Sequence, residues 1–212
     1  MATVATPYGL RAVQAIGGRP FSGGTIREYK VSANNAAAIF NGDLVVLSDA
    51  GQPSAVSATP VAGTTAGIVG VCVGARYVNA EGQPTENHFL PANLVTGGAT
   101  EVFVKVMDDP AALFQVKGTA ELGTFNSGTD GSGFPGAIGK NAALGFDTAG
   151  STSTGNAGVN LVVGANGDSL AATATLAVRI VDIVKGTESD PYPEFIVKLN
   201  VGVHSYDFAT GV

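Results

Sequence analysis

Short runs of alternating or β-branched apolar residues recur along this chain, each closed within a few positions by Gly, Pro, Asn or Asp, and no segment sustains a helical period. Thr25-Ile26-Arg27-Glu28-Tyr29-Lys30-Val31 alternates polar and apolar residues at period two, the mark of a half-buried strand. Leu44-Val45-Val46-Leu47 follows the turn signal Asn41-Gly42-Asp43. Residues 66–75 form an apolar run broken by Gly67, Gly70 and Gly74, a pattern that predicts bulges or close backbone approach. Residues 101–107 place Val102, Val104 and Val106 on one face and Phe103, Lys105 and Met107 on the other. Further strands are expected at 113–116, 142–146, 159–163, 176–184 and 194–199. The last two are joined by a loop holding Pro191 and Pro193, so a long-looped antiparallel hairpin is expected there.

Helix signals amount to single turns. Asp109-Pro110 carries an N-cap and a first-turn proline, and residues 34–38 offer another short candidate. Two Gly/Ser/Thr-rich stretches, residues 126–133 and 148–158, read as exposed loops within one architecture. The pattern predicts an all-β fold of sandwich or open-barrel type, with long Gly/Ser/Thr-rich loops and an extended N-terminal arm. Residues 1–18 would form the arm and residues 19–212 a single β domain, or two closely packed lobes.

Composition bears on partners. The 30 glycines are about twice the usual share of roughly 7%, and charged residues make up only 13% against a typical 25% or so. With no Trp, the core must lean on Val, Ile, Leu and Ala. The formal net charge of −6 and the scattered Lys and Arg argue against a nucleic-acid partner and against anionic membranes. No run reaches the length of a membrane span, and the N-terminus carries no basic-then-apolar leader, so the expectation is use without export. The one cysteine, Cys72, sits in an apolar run and reads as a buried, inert thiol rather than part of a disulfide or zinc site.

Sites for chemistry are few. His88 and His204 each lie near a carboxylate in sequence, but neither belongs to a motif that assembles a nucleophile, base and orienting group. Asp108-Asp109-Pro110 could pair carboxylates, yet its simpler reading is a strand-ending turn. Gly131-Ser132-Gly133-Phe134-Pro135-Gly136 matches a dinucleotide fingerprint literally, but it follows a polar loop and Pro135 interrupts it. Gly139-Lys140-Asn141 lacks the Ser or Thr that ends a phosphate loop, and too few carboxylates surround Asp130 to hold calcium. The sequence therefore predicts no enzyme, no catalytic residue, no cofactor and no metal.

What stands out is the N-terminal segment. Pro7-Tyr8-Gly9-Leu10-Arg11-Ala12-Val13 begins with proline and carries Tyr8 and Leu10 as anchors before a Gly17-Gly18 turn. It reads either as the first strand of the chain's own sheet or as an arm that docks on a partner by strand addition.

This segment, with Ile16-Gly17-Gly18, resembles the opening of virion structural proteins of marine and cyanobacterial tailed phages, where Pro-Tyr-Gly-Leu-Arg-Pro-Val precedes a Gly-Gly turn. Ala12 stands where that pattern has proline. The likeness continues through Ile39-Phe40-Asn41-Gly42-Asp43-Leu44-Val45, Phe89-Leu90-Pro91-Ala92-Asn93, Asp108-Asp109-Pro110 with Leu113-Phe114-Gln115-Val116, Asn141-Ala142-Ala143-Leu144, Ser151-Thr152-Ser153-Thr154-Gly155-Asn156 and His204-Ser205-Tyr206. The chain is thus similar to phage capsid decoration, or cement, proteins.

The resemblance implies a structural protein on the outer surface of a tailed-phage head, made in the host cytoplasm, with the major capsid protein as partner. The expected contact residues are Pro7, Tyr8, Gly9, Leu10, Arg11 and Val13. A chain lacking residues 2–13 should then fold but no longer bind shells. Strands apolar on both faces leave one face wet in a thin monomer, so a homotrimer is expected, with a dimer as the other option. The rival class is a virion-surface module for host glycans, which would need Tyr77, Phe89, Tyr192 and Tyr206 to converge.

Overall fold

The computed structural model describes residues 6–17, 25–32, 35–65, 67–122, 136–167 and 169–207. The fold is all-β. Among the described residues twelve strands run in chain order: β1 (Arg11–Ala15), β2 (Ile26–Lys30), β3 (Leu44–Leu47), β4 (Pro53–Ala55), β5 (Ile68–Val78), β6 (Pro84–Asn87), β7 (Thr100–Met107), β8 (Ala112–Lys117), β9 (Asn141–Gly145), β10 (Asn160–Val162), β11 (Val178–Ile183) and β12 (Glu194–Leu199). Two single 3-10 turns, at residues 165–167 and 205–207, lie wholly among the described residues.

The strands form two antiparallel sheets packed in a sandwich-like arrangement. The first has the order β1-β8-β12-β11-β9-β10, and the second β2-β7-β5-β3-β4 with β6 paired to β5. Their shared core joins Phe114, Val116, Leu144, Ile180, Phe195 and Val197 of the first sheet to Leu44, Ile68, Val71 and Met107 of the second. The first sheet curls enough for Leu161 of β10 to bridge Gly118, just past β8, without closing into a barrel.

The local signals place most strands where expected. β11 and β12 form the antiparallel hairpin, with Ile180 opposite Val197. Its loop is closed by Thr187, whose hydroxyl donates to the Val184 carbonyl (2.8 Å) and accepts the Glu194 N–H (3.0 Å). Gly70 and Gly74 have φ of 143° and 145°, and the β5 register slips beside both. A Cβ on Gly70 would lie 2.0 Å from the Met107 carbonyl oxygen, so this is both a bulge and a close approach.

Four expectations need correction. Asp109-Pro110 starts no helix: the Asp109 side chain accepts the Ala111 N–H (2.8 Å) and its carbonyl accepts the Ala112 N–H (2.9 Å), a turn that feeds directly into β8. Residues 35–38 form no helix either, and Asn34 lies outside the described residues. The stretch 148–158 is not simply an exposed loop, because Gly155, Ala157 and Gly158 are buried.

The fourth concerns the face expected to be wet. Val102, Val104 and Val106 point away from the first sheet, yet they lie in a second core with Val45, Val69 and Cys72. The chain covers this face itself with Ile39, Leu90, Leu94 and Val95, fastened by reciprocal backbone bonds between Ile39 and Leu90 (2.9 and 2.8 Å). The face of β7 expected to be wet is therefore covered by the chain itself.

Candidate functional site

The N-terminal segment is built into the body. Gly9 has φ of 80° and packs on Gly42, after which Leu10 enters the shared core at 1% exposure and its N–H donates to the Gly42 carbonyl (3.0 Å). Residues Arg11–Ala15 then pair with β8, Arg11 opposite Gln115 and Ala15 opposite Ala112. Of the two readings of this segment, residues Arg11–Ala15 follow the strand and not the detached arm. The reason is tertiary: Leu10 alternates inward into apolar space that the sequence alone does not reveal. Residues 1–5 and 18 of the expected arm lie outside the described residues.

The six expected contact residues divide. Leu10 is interior and Gly9 is buried against backbone, so neither is presented. Tyr8 is half-buried, with the Arg11 guanidinium 4.2 Å from its ring centre. Burial, together with the Glu194 carboxylate, pushes its phenol well above the ordinary tyrosine range, so it stays neutral. Glu194 in turn accepts a hydrogen bond from the Gln115 amide (2.5 Å). Pro7 is half-buried, while Arg11 and Val13 are exposed.

Val13 is the extra residue of a bulge, since the register passes from Ala12 opposite Phe114 to Gln14 opposite Leu113. It is 39% exposed and Ile16, just past the strand, is 43% exposed. β1 ends the order of the first sheet, and among the described residues no strand pairs with its outer side. An edge strand with outward-facing N–H and C=O groups and flanking apolar side chains is a template for another extended segment. A groove of about 340 Å³ lies beside it, bounded by Leu10 and Ala12 on one side and by Ile26 and Met107 of the second sheet on the other.

Behind this edge, segments distant in sequence converge. Asn41 forms a bridge to Asn156, its N–H donates to the Gly155 carbonyl (3.0 Å), and its own carbonyl accepts the Ala157 N–H (2.8 Å). Phe40 stacks on Phe89 with ring centres 5.1 Å apart. His88 Nε2 lies 3.2 Å from Asn156 Oδ1, and the glycine positions 150 and 155 admit Phe40 and His88 against bare backbone. The Pro-Tyr-Gly-Leu, Phe-Asn-Gly-Asp, His-Phe-Leu and Thr-Gly-Asn motifs thus form one hub that fixes the position of β1. No local signal in the sequence marks this convergence.

Titratable groups gather without a reactive arrangement. Asp43 is buried and its carboxyl is pushed up to about 6 by loss of water, opposed by the Phe40 N–H that it accepts at 2.8 Å. Asp108 accepts the Arg27 guanidinium (2.8 Å) and the hydroxyls of Tyr29 and Tyr206 (3.3 Å each). His204 is buried, its Nδ1 accepts the Tyr206 N–H (3.2 Å), and burial pushes its pKa down against the pull of Asp207 and Asp108. His88 and His204 thus occupy separate settings.

Among the described residues no three of His, Cys, Asp and Glu lie close enough to hold a metal ion, and no helix is long and apolar enough to cross a membrane. Of the four aromatics a glycan platform would need, Phe89 contacts Phe40 and Tyr206 contacts His204 and Tyr29, and no ring contact among the described residues joins the four. Compared with known proteins, the chain matches no family model, no curated protein and no solved structure.

Proposed function

We propose that this chain is a capsid decoration protein: a non-enzymatic β domain that binds the outer surface of a tailed-phage head and stabilises the shell. The reading rests on the resemblance of its motifs, and the observation that carries it is the open edge of β1. The hub formed by those motifs holds this strand rigidly while its outer side, with Val13 and Ile16, is left for another chain.

A pre-ordered edge binds an extended segment with little further loss of backbone freedom. On a repeating shell each added contact acts at high effective concentration once the first is made. The partner is the major capsid protein, and self-association across the same edge, in a trimer or a dimer, is compatible with it. An acidic chain of few charges suits a surface that must not collect nucleic acid in the host cytoplasm, where it is made.

The test uses heads stripped of this protein. Adding back the wild-type chain should raise the temperature at which the heads release DNA. Val13→Lys with Ile16→Lys should remain folded and fail to restore it. Equal restoration by the double variant would remove β1 from the contact, and no stabilisation by the wild-type chain would overturn the reading itself.

A further inference from the structure

The outer face of the first sheet carries a cationic pair that the β1 edge does not use. β11 and β12 align so that Arg179 lies opposite Lys198. Their neighbours Val178, Ile180, Val197 and Leu199 point into the core, so both charged side chains project from the opposite face. Like charges directly opposite on adjacent strands destabilise a sheet.

Several strand cations among the described residues have an acidic partner, whereas Arg11 lies opposite Gln115 and Lys30 opposite Phe103. Arg27 pairs with Asp108, Arg76 with Glu28 and Lys105 with Glu86, while Lys117 faces Glu194 in register. Neither Arg179 nor Lys198 makes an ion pair among the described residues.

The two line one hollow of about 230 Å³ with Asn141, Asn200 and Val201. Its polar walls are fixed. Arg179 Nε donates to Asn141 Oδ1 (3.0 Å), and Asn141, only 2% exposed, is anchored through Nδ2 to the Thr173 carbonyl (3.0 Å). Asn200 is anchored through Nδ2 to the Leu176 carbonyl (2.7 Å). With Nε engaged, the two terminal guanidinium nitrogens remain as a planar fork, the geometry that matches a carboxylate. Val201 stands at the rim, 75% exposed. On its other side Lys198 borders a separate hollow with Asp109 and Asp207, so Arg179 is the principal ligand and Lys198 the supporting charge.

We propose that Arg179 and Lys198 form a receptor for one oxyanion, a carboxylate in the first instance, whose charge converts a repulsive cross-strand pair into a bound triad. The carboxylate comes either from an acidic side chain of a neighbouring subunit or from a free oxyanion in solution. The receptor itself does not depend on the capsid reading, while assigning its carboxylate to a neighbouring subunit rests on it.

The experiment follows the backbone amide resonances of positions 179, 198 and 201 in the full-length protein while sodium acetate replaces sodium chloride at constant ionic strength. A saturable shift is expected, weakened roughly ten- to a hundredfold in Arg179→Gln, since hydrogen bonds to charged groups contribute about 1.5–3 kcal/mol. Lys198→Glu, which supplies a carboxylate opposite Arg179 internally, should abolish the acetate response. A shift that does not saturate, that chloride reproduces, or that persists in Arg179→Gln would overturn the proposal. Retention on stripped heads then separates the sources: loss in Arg179→Gln identifies a subunit carboxylate, and unchanged retention with intact acetate binding identifies a free oxyanion.

Discussion

Gly9 and Gly42 pack backbone against backbone, and each excludes a side chain at the other. A Cβ on either would lie 2.8 Å from the Cα of its partner. Both have positive φ, 80° and 91°, so each residue is needed as glycine twice over, for conformation and for space. Gly42 also donates its N–H to the Cys72 carbonyl (2.8 Å). Through this contact the segment that becomes β1 of the first sheet is fixed to β5 of the second.

Gly9→Ala and Gly42→Ala should each destabilise by about 2–4 kcal/mol, combining strain at positive φ with overpacking. The double change should cost less than the sum, because both singles disrupt one contact. Gly82→Ala is the control. Its φ is 82°, but nothing lies within 4 Å of the added Cβ, so only the backbone term of about 1–2 kcal/mol applies. Urea unfolding of the four variants checks the order.

Removal of residues 2–13 should now unfold the chain or lower its melting temperature sharply, not leave it intact. Leu10 alone is a core residue at 1% exposure, and Leu10→Ala should cost about 2–5 kcal/mol. Val13→Lys and Ile16→Lys, at exposed positions, should each stay within about 0.5 kcal/mol of wild type. Thermal melts with the head-binding assay therefore separate folding from contact.

The pH dependence of stability should carry a term of unusual sign. Asp43 has a folded pKa of about 6, above the usual carboxylate value, so the folded state holds its proton more tightly. Its contribution favours folding below about pH 4, declines as pH rises to about 6, and is constant above, a total of up to about 3 kcal/mol. His204 acts oppositely: its lowered folded pKa gives stability that is present above about pH 6.5 and lost on acidification. Asp43→Asn isolates the first term. The stability of the variant relative to wild type should grow from pH 4 to 6 and then level off, and a flat difference would contradict the assignment.

Cys72 should resist modification. It is 0% exposed, its pKa is pushed up to about 12 chiefly by burial, and its Sγ lies near the Ile39 and Gly74 carbonyls. Ellman's reagent should leave the native protein unlabelled over hours and label one thiol per chain in guanidinium chloride. Rapid labelling of the native protein would show that the cover made by Ile39 and Leu90 opens readily.

The sequence by itself determined the strands that carry their own pattern. Residues 101–107 alternate, 176–184 and 194–199 are apolar runs around a proline loop, and Asn41-Gly42-Asp43 announces a turn, because period and turn chemistry act between near neighbours. It also marked Gly70 and Gly74 as irregularities. Tertiary structure alone decided what each apolar face meets. Val102, Val104 and Val106 read as one face of a strand, but only the folded chain shows that Ile39 and Leu90 cover it. Leu10 reads as an anchor whether it faces a partner or its own core, since alternation tells which residues share a side and nothing of what lies on that side. The same holds for the hub and for Arg179 opposite Lys198: register between strands far apart in the chain is set by the packing of the whole sheet, and no local pattern encodes it.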